Sequence, residues 1–327
     1  MPLNNELEPI VLPMKLKWNE KPTTKFLNNL DALKVELVDS PTRQQMLDVA
    51  WHMVKATWAD LPEEVNPLEI SNVEKSKNLI DVMQFRALPT PMECMGFTFR
   101  LSGLSFQEVT HIIRHRAGSF AAQCTGDRTL RDDDSVIPEP IENSPEFLER
   151  YKKIVEDSKQ LYADMCDSRV ISMMDARMIL PKCMTSFYYM RLSLKDLIPF
   201  IKQRIDQQIQ PVSDNVIACL MTIEIAKALP EITQVINFDA KDTHYINTFR
   251  VKENGKWTSK GTNLYRPLPK NDVFDYHTDD TIYPCLREEL NGTNPGDKTP
   301  KFTVIWDKLM TEFAQLKVEF EDWQVNN

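Results

Sequence analysis

Residues 93–116 carry the densest structural instruction in the chain. Phe97, Thr98, Phe99, Arg100 and Leu101 alternate apolar and polar, so a strand over 93–101 turns one face inward and the other outward. Ser105-Phe106-Gln107-Glu108 follows with the spacing of a capping box, in which the serine hydroxyl and the glutamate each serve a backbone amide. The strand must therefore hand over to a helix at Ser105. Val109, Ile112 and Ile113 give that helix its apolar stripe. Gln107, His111 and Arg114 fall three or four residues apart on another face. The pattern ends in Arg114-His115-Arg116, and a polar loop from Ala117 to Arg128 is expected next. Planar guanidinium groups suit phosphate, and the N–H groups of a loop containing Gly and Thr can face the same anion. The alternative is that basic residues merely end a helix, where its dipole is negative. A ligand of Arg114 also lies within reach of His111; without one, His111 is a solvated helix residue.

Upstream, Val35-Glu36-Leu37-Val38-Asp39 reads as a short half-buried strand. Ser40-Pro41 is expected to open a helix with Met46, Leu47, Ala50, Met53 and Val54 inside. Residues 60–92 read as loop, with a helical turn or two at Leu79, Ile80, Val82 and Met83. Downstream, Arg131-Asp132-Asp133-Asp134 fits a solvated acidic loop better than a hard-cation site. Ser144-Pro145 opens a long helix with Phe147, Leu148, Tyr151, Ile154, Val155, Leu161 and Tyr162 toward the core. A further helix is expected from Ser168 to Leu180 with Arg177 in its last turn, then a strand from Phe187 to Leu192.

Ser193-Leu194-Lys195-Asp196 repeats the capping pattern ahead of Leu194, Leu197, Ile198 and Ile201, and Pro199 should disturb that helix. Arg204 falls one turn beyond Ile201, on the apolar stripe. A guanidinium there needs an anionic partner. That partner is either a ligand whose developing negative charge it stabilises or a carboxylate such as Asp206. Ser213 is expected to cap a last helix with Val216, Leu220, Ile223 and Ala226 inside, ending at Pro230.

Composition narrows the function. Eight glycines against 21 prolines, with no GxGxxG and no GxxxxGK[ST], argue against glycine-rich nucleotide loops. A net charge of −9 argues against general binding to nucleic acid or anionic membranes, while leaving a local arginine cluster free to attract an anion. Six cysteines without CxxC spacing favour neither zinc nor a disulfide framework, so no metal is expected. No secretory signal and no membrane span are evident, which makes a reducing cytoplasm the default.

At this point the chain resembles the flavin-dependent thymidylate synthases. Their signature is Arg-His-Arg, seven residues, then Ser; here Arg114-His115-Arg116 is followed by seven residues and Cys124. Val35 to Asp39 looks like the family's first strand. Thr90-Pro91-Met92-Glu93 with Phe97-Thr98-Phe99, then Ala176-Arg177-Met178-Ile179-Leu180-Pro181, and the stretch from Ser193 to Gln210 resemble its further blocks, at agreeing spacings. The resemblance covers about residues 35 to 235. It implies an α+β fold, an antiparallel or mixed sheet flanked by helices, between an N-terminal extension (1–34) and a C-terminal one (236–327). In the latter, Glu253-Asn254-Gly255-Lys256 signals a hairpin with Tyr245, Phe249, Val251, Trp257 and Tyr265 as strand-like fragments around it. Val304 to Gln324 reads as a helix with Ile305, Leu309, Phe313, Leu316 and Phe320 on one face, to be buried on the main domain or between subunits.

The resemblance also implies roles. Arg114, His115 and Arg116 would contact FAD, Arg114 reaching the nucleotide phosphate too. Thr90, Glu93, Ser193 and Lys195 would line the flavin site. His111, where the family has Gln, would lie beside the nucleotide. Cys124, Thr125 and Gly126 would hold the phosphate of dUMP, and Arg177 would clamp it. Arg204 would be catalytic, facing the pyrimidine. Three guanidinium groups, Arg114, Arg177 and Arg204, would thus converge on one nucleotide. NADPH and methylenetetrahydrofolate are the implied co-substrates, and the sites would lie between subunits of a homotetramer.

Departures bear on this. Leu88 replaces a usual His, Cys124 the signature Ser, Ala121 and Ala122 an Asn and a Glu, Pro199 an Asn, and Gln208 a His. Three activities stay open: a thymidylate synthase; a sister enzyme acting on dUMP or dCMP with another product such as a hydroxymethyl nucleotide, in which Cys124 could add to the ring; and a nucleotide-binding protein without catalysis.

Overall fold

The computed structural model describes residues 18–65, 69–126, 128–205, 210–238, 249–253, 256–260 and 299–326. Its centre is a four-stranded antiparallel sheet in the order β2-β3-β6-β4, formed by β2 (Lys34–Asp39), β3 (Gly96–Ser105), β6 (Thr185–Ser193) and β4 (Ser119–Ala122). β3 and β6 pair along their length, with Phe99 opposite Met190 and Leu101 opposite Tyr188. The alternation read in the sequence sets the layers. Phe97, Phe99 and Leu101 of β3 and Tyr188, Met190 and Leu192 of β6 are buried together, while Arg100 and Arg191 face out. Outside, Arg191 bonds Asp39 and Thr98 at 2.6 Å, and Arg100 pairs with Glu36. β3 itself begins at Gly96 rather than 93, because Thr90–Cys94 closes into a 3-10 turn behind Pro89.

Helices cover the inner face. Thr42, not Ser40, caps α2 (Arg43–Ala56), because Gln45 stands where it completes the capping box. The single turn or two expected near Leu79 is a full helix, α3 (Asn72–Met83), closed by a box from Ser71 and Glu74. α8 (Leu194–Arg204) starts at the Ser193 cap and runs through Pro199, burying Leu194, Leu197, Ile198 and Ile201 as read. α9 (Val212–Ala228) is buried on nearly every side. Pro211 rather than Ser213 precedes it, and no side chain caps it. Asp206 and Gln208 lie outside the described residues.

A second, smaller core gathers Leu130, Tyr162, Cys166, Ala176 and Met184, and in the same part of the chain β1 (Phe26–Asn28) pairs in parallel with β5 (Ser135–Ile137). The short α1 (Asn29–Ala32) and α5 (Glu139–Glu142) follow these strands, and α6 (Pro145–Asp167) lies alongside. Here the acidic run is consumed by the protein's own donors. Asp132 accepts from Thr23, Asp133 pairs with Arg128, and buried Lys159 donates to the carbonyls of Thr23 and Asp133. α6 buries Val155, Lys159, Tyr162, Ala163 and Cys166, whereas Phe147, Ile154 and Leu161 stand exposed, contrary to the expected inward stripe. The helix expected over 168–180 is two short turns, α7 (Met173–Ala176) and a 3-10 turn at Arg177–Ile179. Arg169 takes a positive φ of 55° ahead of them.

β7 (Phe249–Glu253) and β8 (Lys256–Lys260) form the expected hairpin, with Glu253 opposite Lys256. Tyr245 and Tyr265, and the Asn254-Gly255 turn between the strands, lie outside the described residues. The last helix, α10 (Pro300–Asn326), packs on α9 and joins the main core through Phe302, Trp306, Leu309 and Phe313. Each such side chain removed from water contributes about 1.5–3 kcal/mol. Ile305 and Leu316, expected inside, sit at the edge of that interface, because the inward stripe begins one turn earlier, at Phe302.

Candidate active site

α4 (Phe106–Ile112) starts where the capping box placed it: the Ser105 hydroxyl accepts from the Glu108 amide, and the Glu108 carboxylate accepts from the Ser105 amide. Ile112 is buried, Val109 is half-buried, and Ile113 is exposed because the helix ends before it. The Arg114-His115-Arg116 triplet occupies the turn beyond. The segment after it is no plain loop. Ser119–Ala122 forms the edge strand β4, pairing with Tyr188 to Arg191 of β6.

One cavity of about 1310 Å³ opens beside α4. Gln107, His111 and Arg114 line it, as their shared helical face implied, and Arg204 enters from the end of α8. Arg204 is 4% exposed. Its Nη1 lies 2.7 Å from Asp214 of α9, 2.9 Å from Gln210 and 3.0 Å from the His111 ring, while Nη2 donates to the His111 carbonyl at 3.1 Å. Asp214, 1% exposed, also lies 2.8 Å from His111 Nδ1. The carboxylate partner of Arg204 is thus Asp214, a residue the sequence reading missed. Ten positions separate the two, and no helical spacing joins them. Around this pair four buried polar atoms lack a partner among the described residues: Arg204 Nε, Asp214 Oδ1, Asn215 Oδ1 and the Tyr188 hydroxyl. Groups of that kind call for water or a ligand.

Electrostatics follow burial. His115 packs edge-on to Phe200 at 4.6 Å, and its pKa falls to about 4, first from burial and then from the Arg204 charge. Burial raises the Glu108 carboxyl, opposed by its hydrogen bonds to Ser105, and raises the Tyr188 phenol. Arg114 and Arg116 are exposed, and among the described residues neither has a carboxylate within ion-pairing distance. They present uncompensated positive charge at the cavity and beside it.

The remaining candidates form two further groups. Arg177 donates to the Thr125 hydroxyl at 2.7 Å and packs against Gly126, where an added Cβ would come within 3.3 Å of it; Cys124 beside them is exposed. None of these four lines the cavity, so within one chain Arg177 does not join Arg114 and Arg204. Glu93 and Lys195 pair with each other between the 3-10 turn of Thr90–Cys94 and the first turn of α8, next to the Ser193 cap. They stand about 14 Å along α8 from Arg204, at 1.5 Å per residue. Leu88 is exposed nearby. The C-terminal extension reaches the cavity as well. Thr299 lines it, and the buried Glu139 carboxylate accepts from the Lys301 backbone amide at 3.1 Å.

Among the described residues no group of three or more His, Cys, Asp or Glu is placed to hold a metal ion, and no helix is long and apolar enough to cross a membrane. The sequence model of the thymidylate synthase complementing protein family matches residues 36–231. A flavin-dependent thymidylate synthase of Pyrococcus abyssi is 28% identical over 199 residues, covering 60% of this chain and 80% of the relative. That of Pyrococcus furiosus is 25% identical over 182 residues, covering 54% and 73%. Among solved structures, the UMP/dUMP methylase PolB of Streptomyces cacaoi, bound with 5-Br dUMP, superposes with a TM-score of 0.53 at 19% identity, over 63% of this chain and 94% of that one.

Proposed function

The chain belongs to the thymidylate synthase complementing protein family, the flavin-dependent thymidylate synthases, and from that premise we propose that it transfers a one-carbon unit to carbon 5 of a pyrimidine deoxynucleotide, converting dUMP to dTMP. Methylenetetrahydrofolate is the donor and NADPH the reductant of a bound FAD. The observation that carries this reading is one cavity lined by Arg114, His111 and Arg204, brought together from α4 and α8.

The chain's own residues have distinct tasks. Arg204 aims a guanidinium at the nucleotide base, where fixed positive charge stabilises the anion that makes carbon 5 nucleophilic. Its Nε–H is already buried without an acceptor among the described residues. Arg114, exposed and with no carboxylate partner among the described residues, binds phosphate. The flavin fits the uncompensated Arg114 and Arg116 guanidinium groups with His115 between them, and the polar edge of Thr90, Ser193 and the Glu93–Lys195 pair. That pair neutralises itself, so it offers hydrogen bonds and no net charge. When bound, the flavin supplies the hydride that completes the methyl group. Arg177, Cys124, Thr125 and Gly126 form a phosphate cradle for the nucleotide of a neighbouring subunit, in a homotetramer whose sites lie between chains. Val170, Met174 and Met178 around Arg177 are more than half exposed, as a subunit contact requires.

Absorbance and product analysis test the reading. Purified protein with FAD should show a bound-flavin spectrum, and incubation with dUMP, methylenetetrahydrofolate and NADPH should yield dTMP. Arg204→Ala should abolish turnover and keep flavin. A colourless protein that takes up no FAD would leave only a nucleotide-binding role. A hydroxymethyl nucleotide, or turnover of dCMP, would assign the sister reaction.

A further inference from the structure

Among the described residues three carboxylates line the cavity: Glu108, Glu139 and Asp214. A site for an anionic nucleotide must keep each of them from opposing the phosphate. Two are met within the region that the family model matches. Glu108 accepts from the Ser105 amide at 2.6 Å, and Asp214 lies 2.7 Å from Arg204 Nη1. Glu139 is met from outside that region. Its two oxygens share the Lys301 backbone amide at 3.1 and 3.2 Å, in the first turn of α10. The family model ends at residue 231, so this donor belongs to the C-terminal extension.

We propose that the start of α10 is the counter-charge for Glu139 at the nucleotide cavity, which makes Lys301 a positioning residue for anion binding and the C-terminal extension a determinant of nucleotide affinity. This deepens the nucleotide reading above and rests on it. The geometry singles out the backbone. The Lys301 ammonium turns away to Asp31 at 2.6 Å, so a peptide N–H meets Glu139 and the side-chain charge does not. A helix start leaves its first amides without internal acceptors. Here the Thr299 hydroxyl takes the Phe302 amide at 3.2 Å and the Thr299 carbonyl the Thr303 amide at 3.0 Å, which leaves the Lys301 amide for Glu139. The 27 residues of α10 also bring the positive end of the helix dipole to that carboxylate. Glu139 is 8% exposed, so water does little to screen it. Thr299, which precedes the helix, lines the cavity itself. With all three carboxylates engaged, Arg114 and Lys182 set the sign of the field that a phosphate meets.

Calorimetric titration of the full chain with dUMP, with steady-state kinetics beside it, tests the role. Lys301→Pro deletes the amide hydrogen at a position where a first helical turn accepts proline. It should weaken dUMP binding by about three- to tenfold, and act on KM rather than kcat. Glu139→Gln removes the charge and keeps an acceptor. Its gain in dUMP affinity should be at least about threefold larger in the Lys301→Pro background than in the wild type, because only there is the carboxylate uncovered. A generic charge effect or a purely structural clasp gives no such coupling, so equal gains in the two backgrounds would overturn the proposal. Glu139→Asp keeps the charge and shortens its reach to the amide, so it should bind dUMP about threefold or more weaker than Glu139→Gln. That comparison stands if Lys301→Pro fails to fold, and equal or reversed affinities in it would also overturn the proposal. A wild type that binds no dUMP would overturn the nucleotide reading and this role with it.

Discussion

Asp214→Asn removes the charge on which the buried end of α8 depends. Asp214 is 1% exposed, and its Oδ2 lies 2.7 Å from Arg204 Nη1 and 2.8 Å from His111 Nδ1. Each charge-assisted hydrogen bond is worth about 1.5–3 kcal/mol. The variant also leaves the Arg204 guanidinium, 4% exposed, with no counter-charge among the described residues. Breaking one side of a buried pair costs about 3–5 kcal/mol, and because the two contacts share one oxygen this replaces their sum. At about 2–4 °C per kcal/mol the melting temperature should drop by roughly 6–20 °C. Thermal or urea unfolding of the wild type, Asp214→Asn, Arg204→Met and the double variant measures it. The double variant should recover about 1.5–3 kcal/mol relative to the summed single losses, because it buries no orphan charge. Additive losses, or an Asp214→Asn protein within about 0.5 kcal/mol of wild type, would refute the claim that this carboxylate holds Arg204.

Other outcomes follow from the geometry. The folded-state pKa of His115 lies near 4 against 6.5 unfolded, so the unfolded chain binds the proton first. That group's effect on stability is absent above pH 6.5 and turns destabilising as pH falls toward 4; His115→Asn should flatten the acid limb of urea midpoints measured between pH 7 and 4.5, and an unchanged limb would count against it. Glu139→Gln weakens the anchor of the α10 amide and should cost about 0.3–2 kcal/mol, seen as faster hydrogen exchange at Lys301 and Phe302. Gly103 holds φ at +75° with the Ala32 carbonyl oxygen 1.8 Å from where a Cβ would stand. Gly103→Ala should therefore lower stability by more than the ~1–3 kcal/mol of backbone strain alone, and a wild-type melting curve would contradict the geometry.

Several local patterns sufficed, although the caps expected at Ser40 and Ser213 fell to Thr42 and Pro211 and the helix over 168–180 broke into two short turns. The Ser105 and Ser193 caps, the alternation at Phe97 to Leu101, and the shared face of His111 and Arg114 all concern residues within two turns of one another, and the structure has them as read. Three readings failed for reasons that spacing cannot carry. Phe147, Ile154 and Leu161 repeat every seven residues, a pattern that says a helix has an apolar stripe and is silent on whether this chain or another covers it. β4 is three small residues and one phenylalanine, Phe120, whose ring lies against Gly118; its strand character comes from the free edge of β6, not from its own propensity. The Arg204–Asp214 pair forms between two helices, so the need for an anion was readable at Arg204 while its identity was not. Pairing of Glu93 with Lys195, both assigned to the flavin by resemblance, belongs to the same class of information.

The docking of α10 has a consequence for the order in which the chain matures. The face of α9 that it covers is complete once Ala228 has been made, and Lys301 reaches back to Asp31 at 2.6 Å to close the fold. At about 5–20 residues per second, the ribosome needs roughly 4–14 s to travel from Leu229 to Pro300. For that interval a nascent chain with a finished sheet still shows an oily flank to water, and the cavity still lacks its Thr299 wall. A chain ending before Pro300 should therefore leave Phe238 and the covered flank of α9 in contact with water.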